Sequence, residues 1–508
     1  MTGNKFYVYA CAGFSAIGGL LFGYDIGVIS GVLTMIHFRE EFPSGPAKEG
    51  SIVSSFLAGC FFGALASGYL SDKLGRKYSV LVGSIVFFVG GVLQATSATF
   101  AQLYTGRVIS GIAVGGLSMI VPLYQSEISP KEIRGRLVSL QQWSITIGIA
   151  ISFWIDYATE KIDSPQQWRI PLWLQIVPAS ILVIGTYFLP FSPRWLLDHD
   201  RDEEAIEVLA KLQGGGDKNA AIVQEEYREI KENIKFEREI AAKSYLELLK
   251  VGPENIRRRM ILGVCIQMFQ QLTGINAIMY YAPQIFSNAG LASNSSRLLA
   301  TGINGIVNML STIPAILWID RWGRRPTLIS GGILMGMSML IIGCVLAVHG
   351  TKYYDATLGK HFLHLDNKSS SYAVIVFIYV FVASFAYSWG PTGWIYPAEI
   401  YPLRIRGKAM SVTTASNWLF NFFIGQIVPT LMDDITWGTY IIFGILCVIM
   451  AIAIFAFYPE TKGKSLEEMD DLFKKTSTSK QQKSRDLEVG KPEEQTINKN
   501  EPIIQKLN

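Results

Sequence analysis

The chain has 508 residues, of which 50% are hydrophobic and 17% are charged. Soluble proteins carry about 25% charged residues, so this composition excludes an ordinary soluble protein and indicates one that crosses a membrane repeatedly. The net charge of +4 is small and gives no reason to expect a nucleic-acid partner. The cysteines lie singly in apolar segments, which predicts neither disulfides nor a metal site, and no cofactor motif is present. They are Cys11, Cys60, Cys265, Cys344 and Cys447.

Apolar runs of about 20 residues, the length of a helix that spans a bilayer, recur along the chain. The first run, from Phe6 to Leu33, is too long for the core of a signal peptide and contains an acid, so we predict that it is the first span. Six spans precede and six follow a polar stretch at 192–257. The predicted spans are 7–32, 51–70, 78–98, 101–124, 137–158, 171–190, 260–286, 297–319, 327–348, 372–397, 410–431 and 437–458.

This pattern predicts an all-α membrane protein in four parts. A six-helix bundle occupies 1–190, a cytoplasmic helical linker 191–257, and a second six-helix bundle 258–458. The tail at 459–508 is polar over most of its length and is expected to be largely disordered.

The segment after the fourth predicted span recurs after the tenth. Residues 127–139 read EISPKEIRGRLVS and residues 399–411 read EIYPLRIRGKAMS, and a shorter pair, DKLGRK at 72–77 and DRWGRR at 320–325, precedes them. Such repetition indicates two homologous halves. In membrane proteins, internal duplication is typical of transporters with the substrate site between the halves.

Basic residues concentrate in the loops on the side of the central linker. The positive-inside rule therefore predicts that both termini and the linker are cytoplasmic. Two glycosylation sequons, at Asn294 and Asn367, fall on the predicted outside. The basic loop residues are Lys73, Arg76, Lys77, Lys131, Arg134, Arg136, Arg321, Arg324, Arg325, Arg404, Arg406 and Lys408.

Two ionisable residues stand out inside predicted spans, Asp25 in the first and Arg107 in the fourth. Charges at such positions are costly and usually face a cavity or a partner. One interpretation is that Asp25 takes up a proton and Arg107 pairs with it only when it is ionised; the alternative is a fixed structural ion pair. Glycines spaced four apart give both spans smooth faces for close helix packing. These are Gly19, Gly23, Gly27 and Gly31 in the first span, and Gly111 and Gly115 in the fourth.

Carboxamide side chains are concentrated in the later spans. Amides donate and accept hydrogen bonds, so they suit a neutral polyhydroxylated ligand; the alternative is that they join helices to one another. Trp389 and Trp394 flank a Gly-Pro-Thr-Gly segment that should break the tenth helix and present an indole to an apolar sugar face. The amides are Gln141, Gln142, Gln267, Gln270, Gln271, Asn276, Asn304, Asn308, Asn417 and Asn421.

The repeated loops contain acids as well as bases. Glu127 with Arg134, and Glu399 with Arg406, are predicted to lie beside the Gly-Arg turns. Ion pairs there could hold the halves together when the cavity opens outward and separate when it opens inward. Ordinary positive-inside charges and helix caps are the alternative, which explains the bases but not the repeated acids.

At these residues the chain resembles the sugar porter family of the major facilitator superfamily, over about residues 7–465. The matching motifs are Asp72-Lys-Leu-Gly-Arg-Lys77, Glu127 with Arg134-Gly-Arg136, Asp320-Arg-Trp-Gly-Arg-Arg325, Gln270-Gln-Leu-Thr-Gly-Ile-Asn276 and Pro459-Glu-Thr-Lys-Gly463. The resemblance implies a twelve-helix fold and transport of monosaccharides by alternating access, and the chain is most similar to fungal proton-coupled members.

The resemblance also implies roles for individual residues. Asp25 and Arg107 would couple transport to a proton, and Tyr280 and Tyr281 would form the outer gate. The implied sugar contacts are Gln142, Gln270, Gln271, Asn276, Asn308, Trp394 and Asn421. The implied cytoplasmic gate comprises Asp72, Arg76, Glu127, Arg134, Asp320, Arg324, Glu399, Arg406 and Glu460.

Two positions depart from the family pattern. The Pro-Glu-Ser-Pro-Arg motif after the sixth span has Phe191 in place of the acid, so part of the cytoplasmic gate is missing. Ala386 stands where many facilitative relatives have a sugar-binding Glu.

The sequence thus predicts a proton-coupled hexose or pentose symporter, a monomeric functional unit in the plasma membrane. Facilitated diffusion without protons and a non-transporting sugar sensor are the alternatives, and the vacuolar membrane is the alternative location. An enzyme is not expected, because no nucleophile, metal cluster or phosphate-binding turn is present.

Overall fold

The computed structural model describes residues 5–130, 134–240, 245–249, 254–355, 360–365, 367–402, 405–464, 469 and 472–473. This part of the chain is almost entirely helical and forms two bundles joined by a helical linker. The predicted tail beyond 473 lies outside the described residues.

The first bundle contains six spans, and its first and sixth spans are each divided into two helices. Its helices are α1 (Lys5–Ser15), α2 (Ile17–Val32), α3 (Ile36–Glu41), α4 (Pro46–Ala95), α5 (Phe100–Ile128), α6 (Arg134–Thr159), α7 (Gln166–Leu174) and α8 (Ile176–Thr186). The linker consists of α9 (Pro193–Asp198), α10 (Asp202–Leu212), α11 (Ala221–Ile240) and a short 3₁₀ helix at Tyr245–Leu249.

The second bundle repeats this arrangement, with its seventh and tenth spans broken. Its helices are α12 (Ile256–Leu272), α13 (Ile275–Tyr280), α14 (Ala282–Asn288), α15 (Asn294–Trp322), α16 (Arg324–His349), α17 (Lys368–Tyr387), α18 (Trp389–Ile400), α19 (Arg406–Asp434) and α20 (Gly438–Phe457). Gly274 separates α12 from α13 with φ +85°, a conformation that glycine adopts readily.

The helices account for all twelve predicted spans. Nine helical segments of the described chain are long and apolar enough to cross a membrane, and one of them, Pro46–Ala95, contains two predicted spans. The remaining two spans correspond to α6 and α19, helices of 26 and 29 residues. Large apolar side chains such as Ile184, Leu317 and Ile452 are exposed on the outside of the bundles, where lipid accommodates them.

The turns in the two short repeats have the same backbone conformation. Gly75, at φ 82° and ψ 159°, turns the chain within α4. Gly323, at φ 92° and ψ 158°, turns it between α15 and α16. Only glycine adopts this conformation without strain. The duplication predicted from the sequence is therefore present in the backbone.

The predicted glycine faces bring helices into close contact. A Cβ on Gly23 would lie 1.9 Å from the carbonyl oxygen of Ile145 in α6, and one on Gly115 would lie 2.1 Å from that of Cys60 in α4. Any larger residue would separate the helices, because real Cβ atoms do not approach so closely. The faces therefore fix the pairs α2–α6 and α4–α5.

The structure contains a short antiparallel β-hairpin that the all-α prediction did not include. Strands β1 (Gly350–Asp355) and β2 (Lys360–Leu365) pair between α16 and α17, in a stretch for which the sequence predicted no element. Leu363 and Leu365 are buried, and the Leu363 amide donates to Asn288 Oδ1 at the end of α14 (3.3 Å). Leu363 and Leu365, two residues apart, are a short period-two signal that could have predicted the strand.

Candidate functional site

Asp25 and Arg107 form an ion pair in the interior of the first bundle. The closest approach of the two side chains, between Asp25 Oδ2 and Arg107 Nη1, is 3.2 Å, and both side chains are at most 1% exposed. Arg107 also donates from Nε to the carbonyl oxygen of Ile52 (2.9 Å) and from Nη1 to Gln94 Oε1 (3.4 Å). These extra acceptors keep Arg107 partnered if the carboxylate of Asp25 is neutralised.

Three amides of the second bundle form one hydrogen-bonded cluster between α12 and α19. Asn417 Nδ2 donates to Gln267 Oε1 (2.5 Å) and to Gln270 Oε1 (2.8 Å). Gln267 Nε2 donates to the carbonyl oxygen of Gly393 in α18 (2.9 Å). This part of the amide set joins helices, as the alternative interpretation predicted.

The break in the tenth span supplies backbone acceptors to the same cluster. The break occurs at Ser388, between α17 and α18, so the predicted interruption is confirmed but begins before the Gly-Pro-Thr-Gly segment. Gln270 Nε2 donates to the carbonyl oxygens of Trp389 (2.8 Å) and Gly390 (3.2 Å), the first two residues after the break. Both donor hydrogens of Gln270 are therefore engaged, so a ligand that accepts a hydrogen bond from this amide must replace one of these bonds.

The two bundles meet at Gly390. A Cβ added to Gly390 would lie 3.5 Å from Gln142 Nε2, which comes from α6 of the first bundle. Gln142 and Gln270, from opposite bundles, thus converge on one turn of backbone. Phe22 of α2 and Trp418 of α19 also touch across the boundary, with ring centroids 4.9 Å apart.

The other predicted sugar contacts lie in the second bundle. Gln271 Oε1 accepts a hydrogen bond from Asn276 Nδ2 (2.6 Å), across the break at Gly274. Asn308 is buried in α15, and Trp394 is half-buried in α18. The other tryptophan at the break, Trp389, does not present its indole to a site, since it is fully buried and donates to the carbonyl oxygen of Leu328 (2.9 Å).

The two tyrosines predicted to form the outer gate are hydrogen-bonded to α19. Tyr280 donates to Asn421 Oδ1 (3.2 Å) and Tyr281 to the carbonyl oxygen of Gly425 (2.6 Å). Each tyrosine is 1% exposed. Movement of either side chain away from α19 would break its hydrogen bond.

Several buried polar side-chain atoms of α6, α15, α18 and α19 have no hydrogen-bond partner in the described part of the chain. An unpaired buried polar group is costly, so these atoms are candidate ligand contacts. Thr392 and Trp418 were not among the residues predicted for this role, although the adjacent break and Asn417 were available signals. The atoms are Gln141 Oε1 and Nε2, Asn304 Oδ1, Thr392 Oγ1 and Trp418 Nε1.

A second buried acid in the first bundle was not predicted. Asp156 lies inside the predicted span 137–158 and is fully buried in α6, with its carboxyl group against the backbone of Gly31. An ionisable residue within a span is a signal in its own right, so Asp156 was recognisable from the sequence in the same way as Asp25.

The ion pairs at the basic loops each join parts of one bundle. In the first, Arg76 pairs with Glu127 (2.9 Å) and Asp72 (3.4 Å). In the second, Arg324 pairs with Glu399 (2.6 Å), and Glu460 accepts from the backbone amide of Arg324 (2.9 Å).

Of the remaining residues predicted for the cytoplasmic gate, the structure describes the side-chain contacts of only some. Arg406 donates to the carbonyl oxygen of Tyr401 (3.0 Å). The side chains of Arg134 and Asp320 lie outside the described residues. Phe191, at the position of the missing acid, stacks on Trp195 (5.7 Å between centroids), which covers Gly75.

Comparison with known proteins extends this picture to nearly the whole chain. Residues 11–473 match the family model described as Sugar (and other) transporter. The MFS glucose transporter mfs1 of Aspergillus flavus is 42% identical over 484 residues, covering 92% of this chain and 90% of that protein. The high-affinity glucose transporter of Kluyveromyces lactis is 38% identical, covering 92% and 86%.

Solved structures share the fold. The xylose transporter XylE from E. coli, in a partially occluded inward open conformation, superposes with a TM-score of 0.74 at 27% identity, over 90% of this chain and 99% of that one. The proton:xylose symporter XylE bound to 6-bromo-6-deoxy-D-glucose gives a TM-score of 0.76 at 30% identity, over 93% and 100%.

Members of this family are transporters and not enzymes, as the sequence predicted. The duplicated bundles, the broken seventh and tenth spans and the family match over residues 11–473 lead to one conclusion: the chain is a multi-pass membrane protein of the major facilitator superfamily and belongs to its sugar transporter family.

Proposed function

We propose that this protein imports a monosaccharide, a hexose or a pentose, together with a proton, by alternating access of a site between its two bundles. One observation carries the proposal. The side chains of Gln142 from α6 and Gln270 from α12 both lie against the backbone of Gly390. Amides contributed by both bundles offer donors and acceptors to a hydroxylated ligand that touches both at once.

The residue roles expected from the sequence become the proposed site. Sugar hydroxyls would bind Gln142, Gln270 and Gln271, and the half-buried indole of Trp394 would contact the apolar sugar face. Tyr280 and Tyr281 would close the outer side. The further proposed sugar contacts are Asn276, Asn308 and Asn421.

Proton coupling would use the ion pair in the first bundle. Protonation of Asp25 removes its attraction to Arg107, which keeps its bonds to Ile52 and Gln94. The pair can then loosen without leaving a buried charge unpartnered, and α2 becomes free to move relative to α5. One structural neighbour is a proton:xylose symporter, and two relatives are glucose transporters, which supports a monosaccharide and a proton as the ligands.

The moving units would be the bundles at 1–190 and 258–458, with the linker at 191–257 and the tail at 459–508 in the cytoplasm. The ion pairs of Arg76 and Arg324 stiffen the cytoplasmic end of each bundle, since they join parts of one bundle. The proposed setting is a monomer in the plasma membrane.

The test is uptake of radiolabelled glucose and xylose into proteoliposomes, with and without an imposed inward pH gradient. Accumulation above the external concentration only with the gradient supports symport. Uptake that only equilibrates the sugar, at a level independent of the pH gradient, favours a uniporter. In that case the buried Asp25–Arg107 pair would be a structural ion pair. Absence of saturable uptake of either sugar contradicts the proposal.

A further inference from the structure

Hydrogen bonds that cross between the bundles lie at the end opposite the basic loops. Helices α6, α15 and α19 each have one end near those loops and reach the other bundle at their far end, and α4, whose basic turn lies in its middle, reaches the other bundle at its start. Within the described ranges, the crossing bonds involve Ser54 and Gln426, Glu49 and Gln284, and Glu160 with Asn294 and Ser295.

One crossing lies between α4 and the segments α14 and α19. Glu49 is 1% exposed, and its Oε2 accepts a hydrogen bond from Gln284 Nε2 (2.9 Å). One turn further along α4, Ser54 donates to Gln426 Oε1 (2.7 Å), and Gln426 Nε2 donates to the carbonyl oxygen of Ala47 (3.2 Å). The carboxylate is therefore buried in the boundary between the bundles.

The other crossing lies between the ends of α6 and α15. Glu160 follows the last residue of α6, and its Oε2 accepts from Ser295 Oγ (2.7 Å). Asn294 Nδ2 approaches the other carboxylate oxygen at 3.5 Å. Both donors belong to the first turn of α15, so the carboxylate also faces the positive end of that helix dipole.

We propose that Glu49 and Glu160 are positioning residues that hold this end of the transporter closed, one in each of the two boundaries between the bundles. Each carboxylate comes from the first bundle and each donor from the second. Hydrogen bonds to a charged acceptor are stronger than neutral ones. Opening exposes the carboxylates to water, which replaces the lost donors, so the closure is reversible.

The basic end has a different arrangement. There, the ion pairs of Arg76 and Arg324 join segments of one bundle and move with it. The closing contacts at the far end instead join one bundle to the other. Breaking them should therefore change the balance between conformations, whereas a purely structural role would change stability alone.

The first experiment measures the opening directly. Spin labels at Ala98→Cys and Ser369→Cys, two exposed positions on opposite bundles at this end, report the distance between the bundles in a cysteine-free background. Glu160→Ala and Ser295→Ala should each increase the population with the longer distance by about three- to tenfold, the range expected for one such bond. The double variant should add little to either single change. An unchanged distribution, or fully additive changes, overturns the proposal.

The second experiment measures the kinetics of sugar transport in the protein with its native cysteines retained. This part rests on the proposed function. A larger outward-facing population reduces the apparent half-saturation constant in proportion. Glu49→Ala and Glu160→Ala should lower the external half-saturation constant by about three- to tenfold without lowering that for efflux. The control is Glu40→Ala, because Glu40 is 66% exposed and pairs with His37 of its own bundle. Equal changes on both sides contradict the closing role.

The two experiments separate the closing role from sugar transport. Distance changes without sugar uptake by the native protein support the closing contacts and refute the proposed function. Normal uptake with unchanged distances refutes the closing contacts alone.

Discussion

Gly75 and Gly323 occupy equivalent turns in the two bundles and share one backbone conformation, φ 82° and ψ 159° against φ 92° and ψ 158°. Each lies under a side chain from a later segment, Trp195 over Gly75 and Glu460 over Gly323. At the basic end, the turn of the first bundle therefore contacts the linker. The turn of the second bundle contacts the segment that follows the last span.

Replacing either glycine should destabilise the protein. Gly323→Ala forces a side chain into a conformation that costs about 1–3 kcal/mol, and its Cβ would lie 2.9 Å from Glu460 Oε2. We expect a lower melting temperature in detergent for Gly323→Ala and for Gly75→Ala. The matched control is Gly68→Ala in α4, where a Cβ meets nothing within 4 Å. Equal melting temperatures for Gly323→Ala and the control would contradict the assigned strain.

Asp25→Asn should abolish accumulation of sugar against a gradient while sparing some exchange. The amide keeps the shape of the side chain but takes up no proton, so the driving force is lost and the sugar site remains. Uphill uptake and counterflow in proteoliposomes measure the two processes. Asp156→Asn is the control, because that acid is also fully buried but lies against Gly31. Unchanged uphill uptake by Asp25→Asn would refute the coupling role.

Removal of Arg107 alone should cost more stability than removal of both partners. Arg107→Gln leaves the carboxylate of Asp25 buried without its cation, which costs about 3–5 kcal/mol. The double variant Asp25→Asn, Arg107→Gln leaves no buried charge and should recover most of that loss. Thermal melting of the three variants tests this. A double variant no more stable than Arg107→Gln would show that the pair is not coupled in this way.

Asn417→Ala should weaken sugar binding although Asn417 is not among the sugar contacts that the family resemblance implies. Its loss leaves Gln267 Oε1 and Gln270 Oε1 without their shared donor, at a cost of about 1–3 kcal/mol for each buried acceptor. Gln270 then loses the bond that fixes its amide, and we expect affinity to fall by about tenfold. Binding of labelled sugar to the purified protein is the measurement, and Ser416→Ala is the neighbouring control. Undiminished affinity would show that the cluster does not orient Gln270.

The sequence by itself determined the architecture, because its signals are local or repeated. Runs of about 20 apolar residues can cross a bilayer only as helices, and the duplicated loop segments indicated two equivalent bundles. Asp25 and Arg107 were recognisable as a pair because charges are rare within spans. The short hairpin at 350–365 was missed, since a brief alternating pattern between two long spans is a weak signal.

Tertiary structure decided which polar atoms are available. Amide composition could not separate Gln270, whose donors are engaged by Trp389 and Gly390, from Gln141, whose amide atoms have no partner among the described residues. The indole of Trp389 does not face the site, because it donates a hydrogen bond to the carbonyl oxygen of Leu328. The closing contacts of Glu49 and Glu160 join residues far apart in the chain, and only the packing of one bundle on the other brings such pairs within hydrogen-bond distance.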